Sequence, residues 1–346
     1  MSRFSKSLAI WAVIGLAASG ADAQWIKFKT AGIPRTADGK PNLQAPTPRQ
    51  LGKPDLTGLW RFSTVGYPNN VTTDLNAEEI VPSAVTLYKQ RQEDLFKDDP
   101  STFRCLPSGP RQFYAPMTWV RIVQTSSVIV MLYEDLVYRQ IFMDGRELPK
   151  DPNPSFMGYS VGRWDGDALV VESVGFNDTT WLDYGGHPHS EALRMTERIR
   201  RTDLGHLAVE VRIEDPKYYK RAWTVPSKAE LVADTEMIEY VCNENEKDGP
   251  HLVGKASDQR KNAVTLSPQI LAKYVGTYAF DASNTMKIHI TLSGDALFMD
   301  VGGKDKKELI PLSESTFTNT VVRIEFTPDH VIFHLLEGDT KAVKEK

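Results

Sequence analysis

The chain has few cysteines, no long apolar run after its first residues and no excess of charge of one sign. Its 346 residues include only Cys105 and Cys242, which lack the close ligand spacing of zinc-finger domains. The formal net charge of -4 gives no reason to expect nucleic acid or an anionic membrane as a partner. No later segment is long and apolar enough for a bilayer, so we expect no membrane span.

Residues 1–23 have the pattern of a secretory signal peptide. A basic start precedes a short apolar run and Ala21-Asp22-Ala23, which is typical of a cleavage site. We predict a bacterial Sec-type signal cleaved after Ala23 and a periplasmic or secreted mature chain; the alternative is a retained anchor helix. In an exported chain, an even cysteine count favours a disulfide between Cys105 and Cys242, with two separate buried thiols as the alternative.

Composition and periodicity divide the remaining chain into four segments. Residues 24–54, rich in Pro, Gly, Lys and Arg, predict an extended lead-in. Residues 55–242 carry short runs of branched and aromatic residues, which predict an antiparallel β-barrel or sandwich. Residues 243–264 are polar and aperiodic, as in a linker, and residues 265–346 predict a smaller β domain. The predicted fold class is therefore mainly β.

Turn and cap signals locate some elements within the larger segment. Asp165-Gly166 lies between two strand-like runs and predicts a β-hairpin. A second hairpin is predicted about residues 203–205. Residues 75–96 predict a helix that Asn76 can cap and that Pro82 splits or makes irregular.

Residues 55–248 resemble a group of exported bacterial proteins of unknown function. The resemblance is carried by Gly58-Leu59-Trp60, Cys105-Leu106-Pro107, Pro110-Arg111, Met143-Asp144-Gly145-Arg146, Gly158 to Trp164, Gly166 to Val171, Val174 to Asn177, Trp181, Pro188-His189-Ser190, Glu197-Arg198 and Arg201. The first of these is similar to the Gly-x-Trp opening strand of lipocalin-type barrels. The resemblance implies a lipocalin-like barrel or a related sandwich, and it implies no particular reaction.

Residues 266–346 resemble the small β module at the C-terminus of many exported serine-hydrolase relatives. The resemblance rests on the segment LSPQILAKYVGTYAF. The catalytic domain of those proteins has no counterpart in this chain. The resemblance therefore implies a β fold and no serine chemistry.

Strand alternation makes Glu197 a candidate catalytic residue. In residues 193–201, the positions with odd numbers are apolar except for Glu197, so alternation places this carboxylate on the buried face. A lone buried carboxylate has a raised pKa, which suits a general acid or base at neutral pH. The structural alternative is an ion pair with an inward-facing arginine, either Arg139 or Arg121.

His187 and His189, one proline apart, suggest a metal site or an acid–base site. Two histidines at alternate strand positions can share a metal if further ligands converge. The carboxylate that a cupin-like spacing needs is missing, because Leu193 and Arg194 hold those positions. We therefore assign no metal ligand and no organic cofactor, and a metal centred on His187 and His189 remains the weaker alternative.

The acid–base interpretation centres on His189, which ordinarily titrates near neutrality. The predicted catalytic residues are His189, Asp183, Glu191 and Glu197. The predicted substrate-binding residues are Trp181, Asn177, Tyr184, Arg111 and Arg146. The alternative is an ordinary solvated loop, with the two arginines in salt bridges.

These observations lead to three hypotheses of function. The first is an exported hydrolase, lyase or isomerase that uses histidine and carboxylate chemistry on a small, largely apolar substrate. The second is a lipocalin-like carrier that binds a small molecule without turnover. The third is a metal-dependent enzyme centred on His187 and His189.

Overall fold

The computed structural model describes residues 29–64, 67, 69–116, 118–245, 254–280, 287–301, 306–319, 322–335 and 338–345. The predicted signal peptide, residues 1–23, lies outside the described residues, as does the middle of the predicted linker. Within the described part of the chain, no helix is both long and apolar enough to cross a membrane.

A closed barrel of nine strands forms the larger part of the structure. A short hairpin of β1 (Arg49–Gln50) and β2 (Lys53–Pro54) precedes the barrel. The barrel strands are β3 (Gly58–Ser63), β4 (Val120–Gln124), β5 (Val128–Tyr133), β6 (Tyr138–Phe142), β7 (Tyr159–Asp165), β8 (Ala168–Val174), β9 (Arg194–Arg201), β10 (His206–Glu214) and β11 (Trp223–Leu231). Neighbours follow chain order from β3 to β11, and β11 pairs with β3 to close the barrel. The mainly β fold with a first barrel is confirmed.

One neighbouring pair in this barrel is parallel, and the strand count explains why. A closed ring of strictly alternating directions needs an even number of strands, so nine strands require a parallel pair. It is β6 with β7, which pair at Ile141 with Ser160 and at Phe142 with Val161. Residues 143–158 return along the barrel between them. The sequence predicted antiparallel strands, and this pair is the exception.

The helices lie mainly between β3 and β4. They are a 3₁₀ turn (Ala77–Glu79), α1 (Pro82–Glu93), α2 (Pro100–Arg104) and a second 3₁₀ turn (Gly109–Phe113). The predicted split at Pro82 is confirmed, because this proline occupies the first turn of α1, where its missing N–H costs nothing. The Asn76 N–H donates to the Glu79 carboxylate at 2.8 Å, as in a capping box.

Both predicted hairpins are present. Asp165 pairs with Ala168, so β7 and β8 are joined by a two-residue turn. β9 pairs with β10, and Glu197 faces inward beside Val211 across the ladder. The prediction that the Glu197 side chain points into the barrel is therefore confirmed.

A second closed barrel of eight strands follows the first. Three short helices, α3 (Cys242–Asn245), α4 (Ala256–Lys261) and α5 (Pro268–Ala272), precede β12 (Gly276–Ala279), β13 (Lys287–Ser293), β14 (Ala296–Val301), β15 (Lys306–Pro311), β16 (Thr316–Thr318), β17 (Arg323–Phe326), β18 (His330–Leu335) and β19 (Gly338–Lys344). All neighbouring pairs are antiparallel, as an even count allows, and β12 pairs with β19. The predicted smaller β module is confirmed.

The flanking segments are more ordered than the sequence suggested. The lead-in packs on the first barrel through Ala45, which is buried in its core, and Arg35 forms an ion pair with Asp234. The predicted linker contains α4. Cys105 and Cys242 form a disulfide with a Cα–Cα distance of 5.6 Å, so that predicted pairing is confirmed.

Candidate functional site

The strand register brings three long connections to the same end of the first barrel. They are residues 64–119, 175–193 and 215–222. The ladders place them together, because Ser173 pairs with Met195 and Met195 pairs in turn with Ile213. Ser63, the last residue of β3, pairs with Lys228 in β11, the strand that follows residues 215–222. We call these three connections the capped end. Histidines and aspartates converge there in a small number of buried hydrogen-bonded groups.

The first group joins Asp183, His187 and Thr72. The Asp183 Oδ2 lies 2.6 Å from His187 Nδ1, and His187 Nε2 lies 3.0 Å from the Thr72 hydroxyl. Backbone N–H groups of Val71 and His187 also donate to the Asp183 carboxylate, at 2.7 and 3.0 Å. A carboxylate held by these donors fixes the imidazole with its proton on Nδ1 and leaves Nε2 as the reactive nitrogen.

The Thr72 hydroxyl can serve both protonation states of His187. When Nε2 is unprotonated, the hydroxyl donates its proton to that nitrogen. When Nε2 is protonated, the hydroxyl accepts from it and turns its own proton to Asn70 Oδ1, 3.0 Å away. The Asn70 oxygen also accepts the Thr72 N–H at 3.2 Å, which identifies this atom as the amide oxygen. The imidazole and the hydroxyl therefore stay hydrogen-bonded to each other whether or not Nε2 carries a proton.

Helix α1 covers this group from outside. The Tyr88 ring stacks on the His187 imidazole with centroids 3.9 Å apart. One turn later, Arg91 donates to the Gly186 carbonyl at 2.9 Å, and its guanidinium lies 4.7 Å from the Trp181 ring centre. Burial lowers the pKa of Arg91. Within the described part of the chain, no carboxylate lies at ion-pairing distance from this guanidinium.

The surroundings of His189 differ from those of His187. His189 is buried, with Nε2 2.8 Å from the Thr180 hydroxyl and Nδ1 3.3 Å from the Ser190 carbonyl. Burial is the main cause that lowers its pKa to about 4. No carboxylate orients this ring among the described residues. The neutral imidazole acts here as a packed hydrogen-bonding group.

Glu197 lies inside the barrel, in an ion pair with Arg139. The two side chains are each 1% exposed and form two hydrogen bonds, one of them 3.1 Å long. Arg139 also donates to the Ser160 and Ser173 hydroxyls at 3.0 and 2.9 Å, and it stacks on Phe113. This is the structural alternative that the sequence left open, with Arg139 as the partner. Both Glu197 oxygens bond to Arg139, and no hydrogen bond joins Glu197 to His187 among the described residues.

The remaining predicted residues serve local contacts. Arg111 is buried in a bidentate pair with Asp99, at 3.1 and 3.2 Å, and its guanidinium lies 4.1 Å from the Tyr184 ring centre. Burial raises the pKa of Tyr184 to about 12. Asn177 accepts from Thr179 in a local turn.

Glu191 and Arg146 are surface residues, whereas Trp181 faces the group around His187. Glu191 is exposed in the turn before β9, and Arg146 pairs with Asp144. Trp181 is buried beneath Arg91. Of the predicted catalytic and substrate-binding residues, the structure therefore places Asp183 and Trp181 beside His187, which the sequence had suggested only for the weaker metal alternative.

Three residues of this group escaped the sequence reasoning, namely Thr72, Tyr88 and Arg91. Thr72 is 115 positions from His187, so no local pattern connects them. The Asp183-x-x-x-His187 spacing was a usable signal, since Gly185 and Gly186 between them favour a turn that brings the two side chains together.

The two histidines face different neighbours, and the described residues include no cluster of three or more histidine, cysteine or acidic side chains that could hold a metal ion. No protein-family profile matches the chain. No curated protein sequence matches it either.

Proposed function

We propose that the protein is a small-molecule enzyme of the hydrolase, lyase or isomerase type, with His187 as its general base and acid. The observation that carries this proposal is the unbroken chain of short contacts from Asp183 through His187 to Thr72. Asp183 is fully buried, whereas the imidazole keeps a small exposed edge, 6% of its side-chain surface. A fully buried carboxylate that orients a slightly exposed imidazole suits proton transfer with a bound molecule.

In the proposed mechanism, Asp183 holds the tautomer and stabilises the imidazolium that forms. The substrate, or a water that attacks the substrate, gives a proton to the Thr72 hydroxyl. In the same step that hydroxyl gives its own proton to His187 Nε2. The reverse transfer returns a proton to the product or leaving group. The relay conserves protons and requires no other titrating side chain.

Arg91 supports a binding role next to this relay. One of its nitrogens donates to the Gly186 carbonyl, and no carboxylate among the described residues forms an ion pair with it, although Asp183 and Asp99 act on its charge at longer range. A guanidinium in this position can orient a carbonyl or anionic group of a substrate. The Trp181 and Tyr88 rings supply the apolar walls of the same region.

The proposal is tested by matched histidine variants. The protein is screened for turnover of p-nitrophenyl esters, lactones and enolisable ketones. For any substrate that is converted, we expect His187→Gln and Asp183→Asn to lower kcat by about 10²- to 10⁴-fold. His189→Gln is the control, because it keeps a hydrogen-bonding group of similar size and should retain most of the rate. Equal losses in the two glutamine variants would contradict the assignment.

A measurement without substrate tests the same tautomer. Nitrogen NMR of the imidazoles should show the proton of neutral His187 on Nδ1, and Asp183→Asn should change that preference. A proton found on Nε2 of neutral His187 in the unmodified protein would exclude the proposed base.

A further inference from the structure

The wall of the first barrel opens where its two parallel strands separate. β6 and β7 pair at only two positions. Toward the capped end, residues 138–140 of β6 pair with β5 alone among the described strands. Residues 155–159 face them across the gap. The space between them is a cavity of about 450 Å³, which we call the β6–β7 cleft.

The cleft has the size and lining of a small-molecule site. Its walls include the side chains of Phe142, Phe156, Met157 and Tyr159. Pockets of a few hundred Å³, mostly apolar with a few polar groups, are typical of such sites. Neither His187 nor any other member of its hydrogen-bonded group lines the cleft, so it is separate from the proposed catalytic group.

Charge in and around the cleft is already compensated. Arg139 is the only charged residue among those that line it, and all three guanidinium nitrogens bond to Glu197, Ser160, Ser173 or the sulfur of Met131. At the rim, Arg146 stacks on Phe142 at 3.9 Å and is paired with Asp144. An anion placed in the cleft would find no unpaired cation there, so the electrostatics favour a neutral ligand.

The Tyr159 hydroxyl at the cleft can donate a hydrogen bond to a ligand. The Tyr159 hydroxyl accepts a hydrogen bond from Arg146 at 2.8 Å, and a phenol that accepts one bond still has its own proton to donate. Donation to a ligand oxygen becomes stronger when a guanidinium polarises the phenol. We propose that the β6–β7 cleft binds a neutral, planar aromatic molecule that carries a hydrogen-bond-accepting oxygen, with Tyr159 as the donor.

The test uses 6-propionyl-2-(dimethylamino)naphthalene, a neutral naphthyl ketone whose emission shifts to the blue in apolar surroundings. The unmodified protein should show a saturable blue shift. Gln140 is exposed at the cleft, so Gln140→Trp should fill the opening and weaken binding by at least about tenfold. Glu210 is equally exposed on β10, on another part of the wall, and Glu210→Trp is the matched control, with no expected change. A signal that does not saturate, or equal losses in both variants, would overturn the proposal.

The polar part of the proposal is tested by removing the hydroxyl of Tyr159 and, separately, the acyl group of the dye. Tyr159→Phe should weaken binding of the ketone by about fivefold, the value of one hydrogen bond. It should leave unchanged the binding of 2-(dimethylamino)naphthalene, which lacks the ketone. The anionic dye 8-anilinonaphthalene-1-sulfonate should bind more weakly than the ketone. Tighter binding of that dye, or equal effects of Tyr159→Phe on both naphthalenes, would refute a neutral ligand held by Tyr159.

Discussion

The interiors of the two barrels differ in polarity. All but two of the buried polar or charged side chains in the described residues belong to the first barrel and its capped end. The two exceptions, Thr318 and Asn319, are uncharged. The second barrel is filled instead by aromatic rings, among them Tyr274, Phe317 and Phe326, which contact one another.

This difference separates a stable fold from a fold that also carries chemistry. Buried charges are stabilising only when they are paired and fully hydrogen-bonded, and an apolar core of equal volume is often as stable. Among the described residues of the second barrel no charged side chain is buried, so this barrel closes without a buried ion pair in that part of the chain. The polar interior of the first barrel is therefore where we look for function.

Tryptophan fluorescence can follow the first barrel alone. All seven tryptophans of the chain precede residue 265, so the second barrel contains none. Unfolding of the two barrels need not coincide, and a single transition should not be assumed. Each prediction below uses a probe that distinguishes them.

The largest effect is expected from breaking the ion pair inside the first barrel. Glu197→Leu leaves the Arg139 guanidinium buried without its carboxylate. We expect it to lower the free energy of unfolding of the first barrel by about 3–5 kcal/mol, measured by tryptophan fluorescence in urea. The second barrel should keep its own transition, followed by hydrogen exchange resolved by peptide.

The double variant Arg139→Met with Glu197→Leu is the control. It removes both charges, while the Ser160 and Ser173 hydroxyls keep their mutual contact of 2.8 Å. Its stability should return to within about 1 kcal/mol of the unmodified protein. A double variant as unstable as Glu197→Leu would show that the pair itself, rather than the uncompensated charge, determines stability.

An intermediate effect is expected from acid. The folded pKa of His189 is about 4, below its ordinary 6.5, so the unfolded chain binds the proton first. The first barrel should therefore lose stability as pH falls from about 6.5 to about 4, by about 3 kcal/mol from this group, and no further below that. Urea unfolding of the unmodified protein and of His189→Gln across this pH range, followed by tryptophan fluorescence, isolates the contribution of His189 to the free energy of unfolding. Identical pH profiles for both proteins would contradict it.

The smallest effects on the free energy of unfolding are expected from removing one buried hydroxyl in each barrel. Ser173→Ala removes an acceptor from the Arg139 guanidinium and should cost about 1.5–3 kcal/mol. Thr318→Val removes a neutral bond to the Val322 carbonyl and should cost about 0.5–1.5 kcal/mol. Hydrogen exchange resolved by peptide measures both barrels in one sample. Equal costs would mean that the polarity of the first barrel has no energetic consequence.

Much of the fold could be predicted because it depends on local pattern. Gly58 and Gly276 each lie two residues before an aromatic residue, and they begin β3 and β12 with φ of 155° and 153°. A side chain at either position would also meet a neighbour, Leu231 or Lys344. Alternation likewise gave the inward direction of Glu197.

The candidate site was less accessible to such reasoning. Loop residues have no period, so nothing local distinguished His187, with its carboxylate partner, from His189, which lacks one. The contact with Thr72 depends on the ladder register that brings residues 64–119 and 175–193 together. The parallel pair, and with it the β6–β7 cleft, follows from the odd strand count, which alternation within single strands cannot supply.

The disulfide between Cys105 and Cys242 also defines a covalent ring. Strands β4 to β11 lie within that ring, whereas β3 precedes it and is held between β4 and β11 by non-covalent contacts alone. A single protease cut inside the ring leaves the two pieces joined, and reduction would be needed to separate them. A cut between β3 and Cys105 frees the one strand that the ring does not hold, and the eight strands that remain form an open sheet. The integrity of the closed barrel therefore depends most on the continuity of the chain between Ser63 and Cys105.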